Sequence, residues 1–218
     1  MPMRGTGAGP FVPPSGDLAR LRESAATCEG CPLFADAAAT VFGLGDPSAR
    51  VVVVGEQPGD AEERAGAPFQ GPAGALLDRA LEEAGIDAGA VYRTYAVKHR
   101  KSAAVGPTGR RVRLKPVRRE LAACRPWLLA ELDAIRPEVA VCLGASAAHA
   151  LLGPDFQVAA HRGVLHTVDL PELRLRVLAT ARPEAAARLR EPDRTDAYAR
   201  LLADLRPVAA ALRTAGGT

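Results

Sequence analysis

The chain has 218 residues, 48% of them hydrophobic, and carries 28 basic against 25 acidic side chains for a net charge of +3. That length and apolar content suit one domain with a sizeable core and exclude a disordered polymer. No apolar run approaches the roughly 18 residues of a membrane span, and the Gly- and Pro-rich start lacks a leader's apolar stretch, so a reducing cytoplasm is the expected compartment.

Taken in chain order, residues 1–16 are expected to form a disordered lead-in, 17–213 one domain, and 214–218 a flexible tail. Asp17 to Thr27 predicts a short helix. Arg50-Val-Val-Val-Val54 is a β-branched run, as in a strand buried on both faces. It stops at the turn Gly55-Glu-Gln-Pro-Gly-Asp60. Residues 71–85 predict an amphipathic helix with Leu77 and Leu81 at i, i+4 and a closing Gly. Val91 to Val97 reads as a second strand, followed by a basic loop containing Gly and Pro. Val117 to Ile135 predicts a helix with a break or kink at Pro126. Val139 to Leu143 is a third strand leading into a helix at Ala145 to Leu152. A further strand covers Leu173 to Ala179, and a helical segment broken or kinked at Pro207 closes the chain from Thr195 to Arg213. Strands alternating with helices imply an α/β domain with a mainly parallel sheet. Ligands then belong at the strands' carboxyl ends, in the loops after Val54, Val97 and Ala179. The loop at 55–60 is neither a dinucleotide fingerprint nor a Walker loop, so no nucleotide cofactor is expected.

The charge is unevenly spread. No acidic residue lies between Asp87 and Glu120, a segment holding 10 of the 28 basic residues, among them Lys98, Arg110, Arg111, Arg113 and Lys115. The remainder carries 18 basic against 25 acidic residues. A basic block on an acidic body points to a polyanion partner, DNA or RNA first, with a solvated loop as the bland alternative.

Four cysteines stand at 28, 31, 124 and 142. The Cys28-x2-Cys31 pair can face one centre from a single turn, while folding must bring in Cys124 and Cys142. In a reducing compartment this favours metal, zinc or iron–sulfur, over disulfides.

Several motifs together resemble the iron–sulfur uracil-DNA glycosylases, closest to the family 4 and UdgX-type branch. They are Val51-Val-Val-Val-Gly-Glu-Gln-Pro-Gly-Asp60, Ala67-Pro-Phe-Gln-Gly-Pro-Ala-Gly74, Cys28-Glu-Gly-Cys31, Ala123-Cys-Arg-Pro-Trp127 and Val141-Cys-Leu-Gly-Ala145. Ala96-Val-Lys-His99 and Gly109-Arg-Arg-Val-Arg-Leu-Lys-Pro116 resemble the UdgX branch in particular. The resemblance covers roughly residues 17 to 213. It implies a three-layer α/β/α sandwich around a mainly parallel four-stranded sheet, and a structural 4Fe-4S cluster on Cys28, Cys31, Cys124 and Cys142. It implies a monomer acting on damaged or single-stranded DNA, which the basic loop with Lys98, His99, Arg110, Arg111, Arg113 and Lys115 would contact. Phe69 would stack on a flipped base, and Glu56 or Asp60 would stabilise the sugar cation and orient water. Donors for the departing base would include backbone amides of the Gln57 to Asp60 turn.

Three positions depart from the family. Tyr95 stands where the family has an Asn that reads the uracil edge, and a phenol offers one hydroxyl in place of an amide's donor and acceptor. Arg182-Pro-Glu184 replaces the His-Pro-Ser motif; arginine still donates to an anion. Arg113 replaces the histidine with which the UdgX branch attacks the sugar, and a guanidinium is no nucleophile. The resemblance therefore implies a DNA glycosylase for uracil or a related deaminated base, without covalent capture. The alternatives are a non-catalytic binder of damaged or single-stranded DNA on the same scaffold, and an iron–sulfur protein unrelated to nucleic acid.

Overall fold

The computed structural model describes residues 7–14, 16–107 and 109–215. Helix α1 (Leu18–Ala25) precedes the first strand, β1 (Val51–Gly55), which is followed by α2 (Asp60–Ala65) and α3 (Pro72–Glu83). Strand β2 (Val91–Tyr95) leads to a hairpin of β3 (Ser102–Val105) and β4 (Arg110–Arg113), then to α4 (Arg118–Ile135). The remainder runs β5 (Val139–Leu143), α5 (Ala145–Leu152), α6 (Val158–His161), β6 (Leu165–Asp169), β7 (Arg174–Thr180), α7 (Pro183–Ala187) and α8 (Asp193–Ala215).

Five strands form the main sheet in the order β2-β1-β5-β7-β6, all parallel except β6, which pairs antiparallel with β7. The four expected strands are all present, and the sheet is larger by one. β6 sits at an edge with every residue partly or fully exposed, so it lacks the continuous apolar run that marked the others.

Alternation along β1 builds two cores. Val52 and Val54 pack on one face with Trp127, Leu128, Cys124 and Cys142; Val51 and Val53 pack on the other with Leu77, Leu81, Leu201 and Leu205. Helices thus cover both faces, giving three layers. Of the break or kink expected at each interior proline, the break does not occur. Both α4 and α8 run on through their prolines. In α4 the residues Cys124, Trp127, Leu128, Glu131 and Leu132 are all buried, and that burial outweighs the roughly 3 kcal/mol an interior proline costs. The expected lead-in also differs in part: residues 1–6 and 15 lie outside the described residues, but Ala8 is buried and donates its N–H to Ala123 O at 2.7 Å, while Gly7 donates to Gly30 O at 2.9 Å.

A charged pair lies inside the first core. Lys98 is 1% and Glu131 0% exposed, and their Nζ–Oε2 distance is 2.5 Å. Lys98 Nζ also donates to Thr94 Oγ1 and Tyr95 O, at 2.6 and 2.8 Å. Glu131 accepts from Gly43 N and Tyr92 Oη, at 3.0 and 3.1 Å. Every polar atom of the pair is thereby satisfied, as a buried ion pair requires. Next to it, buried His99 meets Thr40 Oγ1 at 2.8 Å through Nε2. Burial lowers the His99 pKa to about 4, so the ring is neutral at physiological pH.

Two expectations follow. Lys98→Met, which strands Glu131 as an unpaired buried charge, is expected to lower unfolding free energy by about 3–5 kcal/mol in urea titrations, with Lys98→Met/Glu131→Leu recovering much of that loss. His99 binds its proton more readily unfolded, near 6.5, than folded, so its stabilisation is complete above that pH and fades as pH falls towards about 4. The loss should reach about 3 kcal/mol, and His99→Gln should flatten the thermal stability profile between these limits.

Candidate active site and cysteine centre

Residues from four parallel strands meet at the carboxyl edge of the sheet, where the order switches direction between β1 and β5. β1 ends in Gly55 and delivers Glu56, whose backbone is held when Val97 N donates to Glu56 O at 3.1 Å. β5 ends at Leu143, and Gly144 leads to Ser146 on α5. β7 ends at Thr180, two residues before Arg182.

Glu56 is 6% exposed and is the hub. Its Oε2 accepts from Ser146 Oγ at 2.6 Å. Its Oε1 lies 3.5 Å from both Arg113 Nη2 and Arg182 Nη1. Arg113 also donates to Gln57 O at 3.0 Å and comes within 4.0 Å of Glu184 on α7. The Arg182 stem crosses Gly144 so closely that a Cβ there would meet Arg182 Cγ at 2.5 Å, so a side chain at 144 would displace it. One carboxylate with two permanent cations and a hydroxyl is a preorganised charge cluster, suited to stabilising both a sugar cation and a departing anion.

Arg113 belongs to the β3–β4 hairpin, a segment expected from sequence to be a loop. The hairpin is rooted by Gln57: its amide donates to Leu114 O and accepts from Lys101 N, both at 2.7 Å. Arg110, Arg111 and Lys115 are exposed on it or just beyond. Arg111 also reaches Asp36 O at 3.0 Å.

Phe69 and Tyr95 form a second group. Their rings stack with centroids 5.0 Å apart at 26°, and Phe69 N donates to Tyr95 Oη at 2.9 Å. Tyr95 is 3% exposed. Phe69 has φ of +56°, a conformation that costs a bulky residue about 1–3 kcal/mol and that the tyrosine hydroxyl helps to hold. A Cβ on Gly55 would lie 2.7 Å from the Tyr95 ring and 2.9 Å from Phe69, so only bare backbone fits beneath the two.

The site thus unites Glu56, Gln57, Arg113 and Arg182, and pairs Phe69 with Tyr95. Several sequence assignments require correction. Asp60 shares no partner with Glu56: its side chain is 59% exposed and pairs with Arg64 and with Arg100, the latter at 3.0 Å. Those cations hold its carboxyl below the usual range, the Arg64 hydrogen bond foremost. Lys98 and His99 are buried and committed to Glu131 and Thr40, so neither reaches a bound phosphate. The Gln57 side chain holds the hairpin through one N–H and one carbonyl lone pair. Of the expected turn amides, Pro58 has no N–H, and Gly59 donates to Glu62 Oε2 at 2.8 Å. Ser146 escaped the sequence reading, although its place just past a strand, a glycine and a helix start was a usable signal. A concavity of about 660 Å³ lies elsewhere, bordered by Arg50, Val51, Asp87 and Val91 at the amino ends of β1 and β2, and gathers none of these groups.

The four cysteines are free thiols, all buried in the first core. Cys28, Cys31 and Cys124 lie within electrostatic reach of one another. Backbone donors aim at two sulfurs: Gly30 N at Cys28 Sγ, 3.5 Å, and Lys98 N at Cys124 Sγ, 3.2 Å. Burial pushes Cys124 and Cys142 up to about 12, so these thiols bind a metal centre only by releasing protons. Among the described residues no three His, Cys, Asp or Glu side chains close around a single metal ion. Four buried thiols, two of them with backbone N–H donors on the sulfur, are of the chemical type that ligates an iron–sulfur cluster.

Comparison with known proteins agrees with this geometry. The family model described as the uracil DNA glycosylase superfamily matches residues 42–206. The chain is 38% identical over 136 residues to a type-4 uracil-DNA glycosylase of Pyrobaculum aerophilum, covering 62% of this chain and 65% of that protein. It is 42% identical over 120 residues to the Thermotoga maritima type-4 protein, covering 55% and 58%. With that of Sulfurisphaera tokodaii it shares 32% identity over 174 residues, 78% and 75% of the two chains. The chain thus spans less than two thirds of the length of the first two relatives, 65% and 58%, and three quarters of the third. With the parallel sheet, the carboxyl-edge site and the matched span in agreement, the chain belongs to the uracil-DNA glycosylase superfamily.

Proposed function

We propose that this protein is a DNA base N-glycosylase that hydrolyses the glycosidic bond of a deaminated base, uracil or a related lesion, without covalent capture of the DNA. The observation that carries the reading is Glu56, buried at the end of β1 between Arg113, Arg182 and Ser146. In the reaction the C1′–N bond breaks and its electron pair leaves with the base. The Glu56 carboxylate stabilises the sugar cation and orients the water that adds to C1′, and the proton this water loses balances the one the base anion takes up on release. Arg182 donates to the departing anion, a role open to a permanent cation. Arg113 stands over Glu56 as a charge and cannot attack the sugar.

Arg110, Arg111 and Lys115 on and beside the hairpin would take phosphates of damaged or single-stranded DNA, without reading sequence. The similar proteins named type-4 uracil-DNA glycosylases support the substrate class. Cys28, Cys31, Cys124 and Cys142 would hold a 4Fe-4S cluster that fixes α4 and β5 and takes no part in the bond breaking. Among the described residues no helix is long and apolar enough to cross a membrane. We read the protein as a monomer of the reducing cytoplasm, where such thiols stay free to bind iron. A second reading, a DNA binder that releases no base, is favoured by one observation: the Tyr95 ring already covers Phe69.

Oligonucleotides carrying uracil, hypoxanthine, xanthine or no lesion test the reading. Alkali-labile cleavage at a lesion is expected, slowed by about 10²-fold or more in Glu56→Gln. Salt-dependent binding with no cleavage on any lesion would establish the second reading. No heat-stable protein–DNA band is expected on a denaturing gel. Cys142→Ser is expected to lose iron and visible colour together, measured by iron analysis and absorbance.

A further inference from the structure

One face of the Phe69 ring is already covered. The ring lying on it belongs to the protein itself, in the offset-stacked arrangement that aromatic pairs and stacked bases share. Three contacts make Tyr95 resemble a bound base. Its ring stacks at 5.0 Å. Its polar edge accepts the Phe69 N–H at 2.9 Å, so the backbone donor that a base carbonyl would use is taken. Its underside rests on Gly55, where even a methyl would collide. The backbone around it is fixed, because Ala96 N donates to Gly55 O at 2.8 Å and Val97 N to Glu56 O at 3.1 Å. Side-chain rotation is the freedom left to Tyr95.

We propose that Tyr95 is the resident occupant of the base slot and its specificity gate, so that a DNA base reaches Phe69 and Glu56 only when the Tyr95 ring swings out. This rests on the glycosylase reading for the identity of the slot. An entering base must replace a stacked ring and bring an acceptor to the Phe69 N–H. Bases bearing a ring carbonyl, such as uracil, hypoxanthine and xanthine, meet both demands. The gate therefore lowers apparent affinity for any flipped base by the fraction of time the slot is open. It leaves phosphate contacts through the hairpin untouched, since Arg110, Arg111 and Lys115 do not contact Tyr95.

The test compares the affinity of the full chain for two single-stranded oligonucleotides that differ at one position, uracil against a tetrahydrofuran abasic analogue, in a Glu56→Gln background so that no base is lost. The protein with Tyr95 in place is expected to bind both about equally, and Tyr95→Ala to prefer uracil by about fivefold or more. Tyr95→Phe, which keeps the ring, should stay near equality. A preference of that size with Tyr95 in place overturns the gate, and this arm needs no variant at 95 to fold. A well-folded Tyr95→Ala protein, judged by circular dichroism, that still binds both equally also overturns it. Cleavage assays with Glu56 restored separate the two readings. Equal cleavage rates for the Tyr95 protein and the Tyr95→Ala variant sink the gate and leave hydrolysis standing. A gained uracil preference without cleavage by either protein sinks hydrolysis and leaves the gate.

Discussion

Strand β1 is the constraint from which the rest follows. It is hydrogen-bonded on both edges, to β2 and β5, and buried on both faces. Its four valines divide by parity, Val52 and Val54 to the cysteine-bearing core and Val51 and Val53 to the core under α3 and α8. A slip of one residue would exchange those faces, so the register is strongly specified. The same strand aims Glu56 out of the carboxyl edge, and its last residue, Gly55, supplies the flat floor beneath Tyr95 and Phe69. Fold and site therefore share one five-residue element.

Charge is organised in two regimes. In the interior, Lys98 and Glu131 neutralise each other in a shell of hydroxyl and backbone partners, and their attraction compensates for desolvation only because the shell is complete. At the edge, Glu56 faces two arginines, of which Arg113 also reaches Gln57 O and Glu184, and the cluster stays open to solvent through Arg182. The interior pair ties β2's exit to α4 and stabilises a shape. The edge cluster is held ready by the hairpin, since Arg113 reaches Glu56 only while Gln57 pins the hairpin root. The Lys98 amide on Cys124 Sγ links the interior network to the cysteine centre, whose sulfurs sit on the face of the sheet opposite α3 and α8.

Parts of this arrangement were legible in the chain because their signals are local. The valine run, the amphipathic period of α3 and the strand–glycine–helix passage at Leu143 to Ala145 each declare an element over a few residues, and each is present. The cysteine spacing and the acid-free segment also declared themselves. Less legible were β6 and the hairpin, whose short strands are half exposed and lack a clean period. Prolines 126 and 207 misled for a complementary reason: a local cost near about 3 kcal/mol is visible in sequence, while the burial that offsets it is not.

The sequence by itself determined the α/β class, the family resemblance and the cysteine set, because these depend on residue identity and short-range order. Only the tertiary structure decided which charges face solvent and which face each other. Lys98 and Arg110 look alike in a list of basic residues, yet one is sealed against Glu131 and the other is exposed on a hairpin. Asp60 and Glu56 look like a pair, yet helix α2 carries Asp60 off to Arg64 and Arg100. Tyr95 reads as a substitution in a strand, and its stacking on Phe69 appears only when a loop 26 residues earlier folds back over Gly55. Burial and partner choice are properties of chain segments brought together from far apart, and no local pattern encodes them.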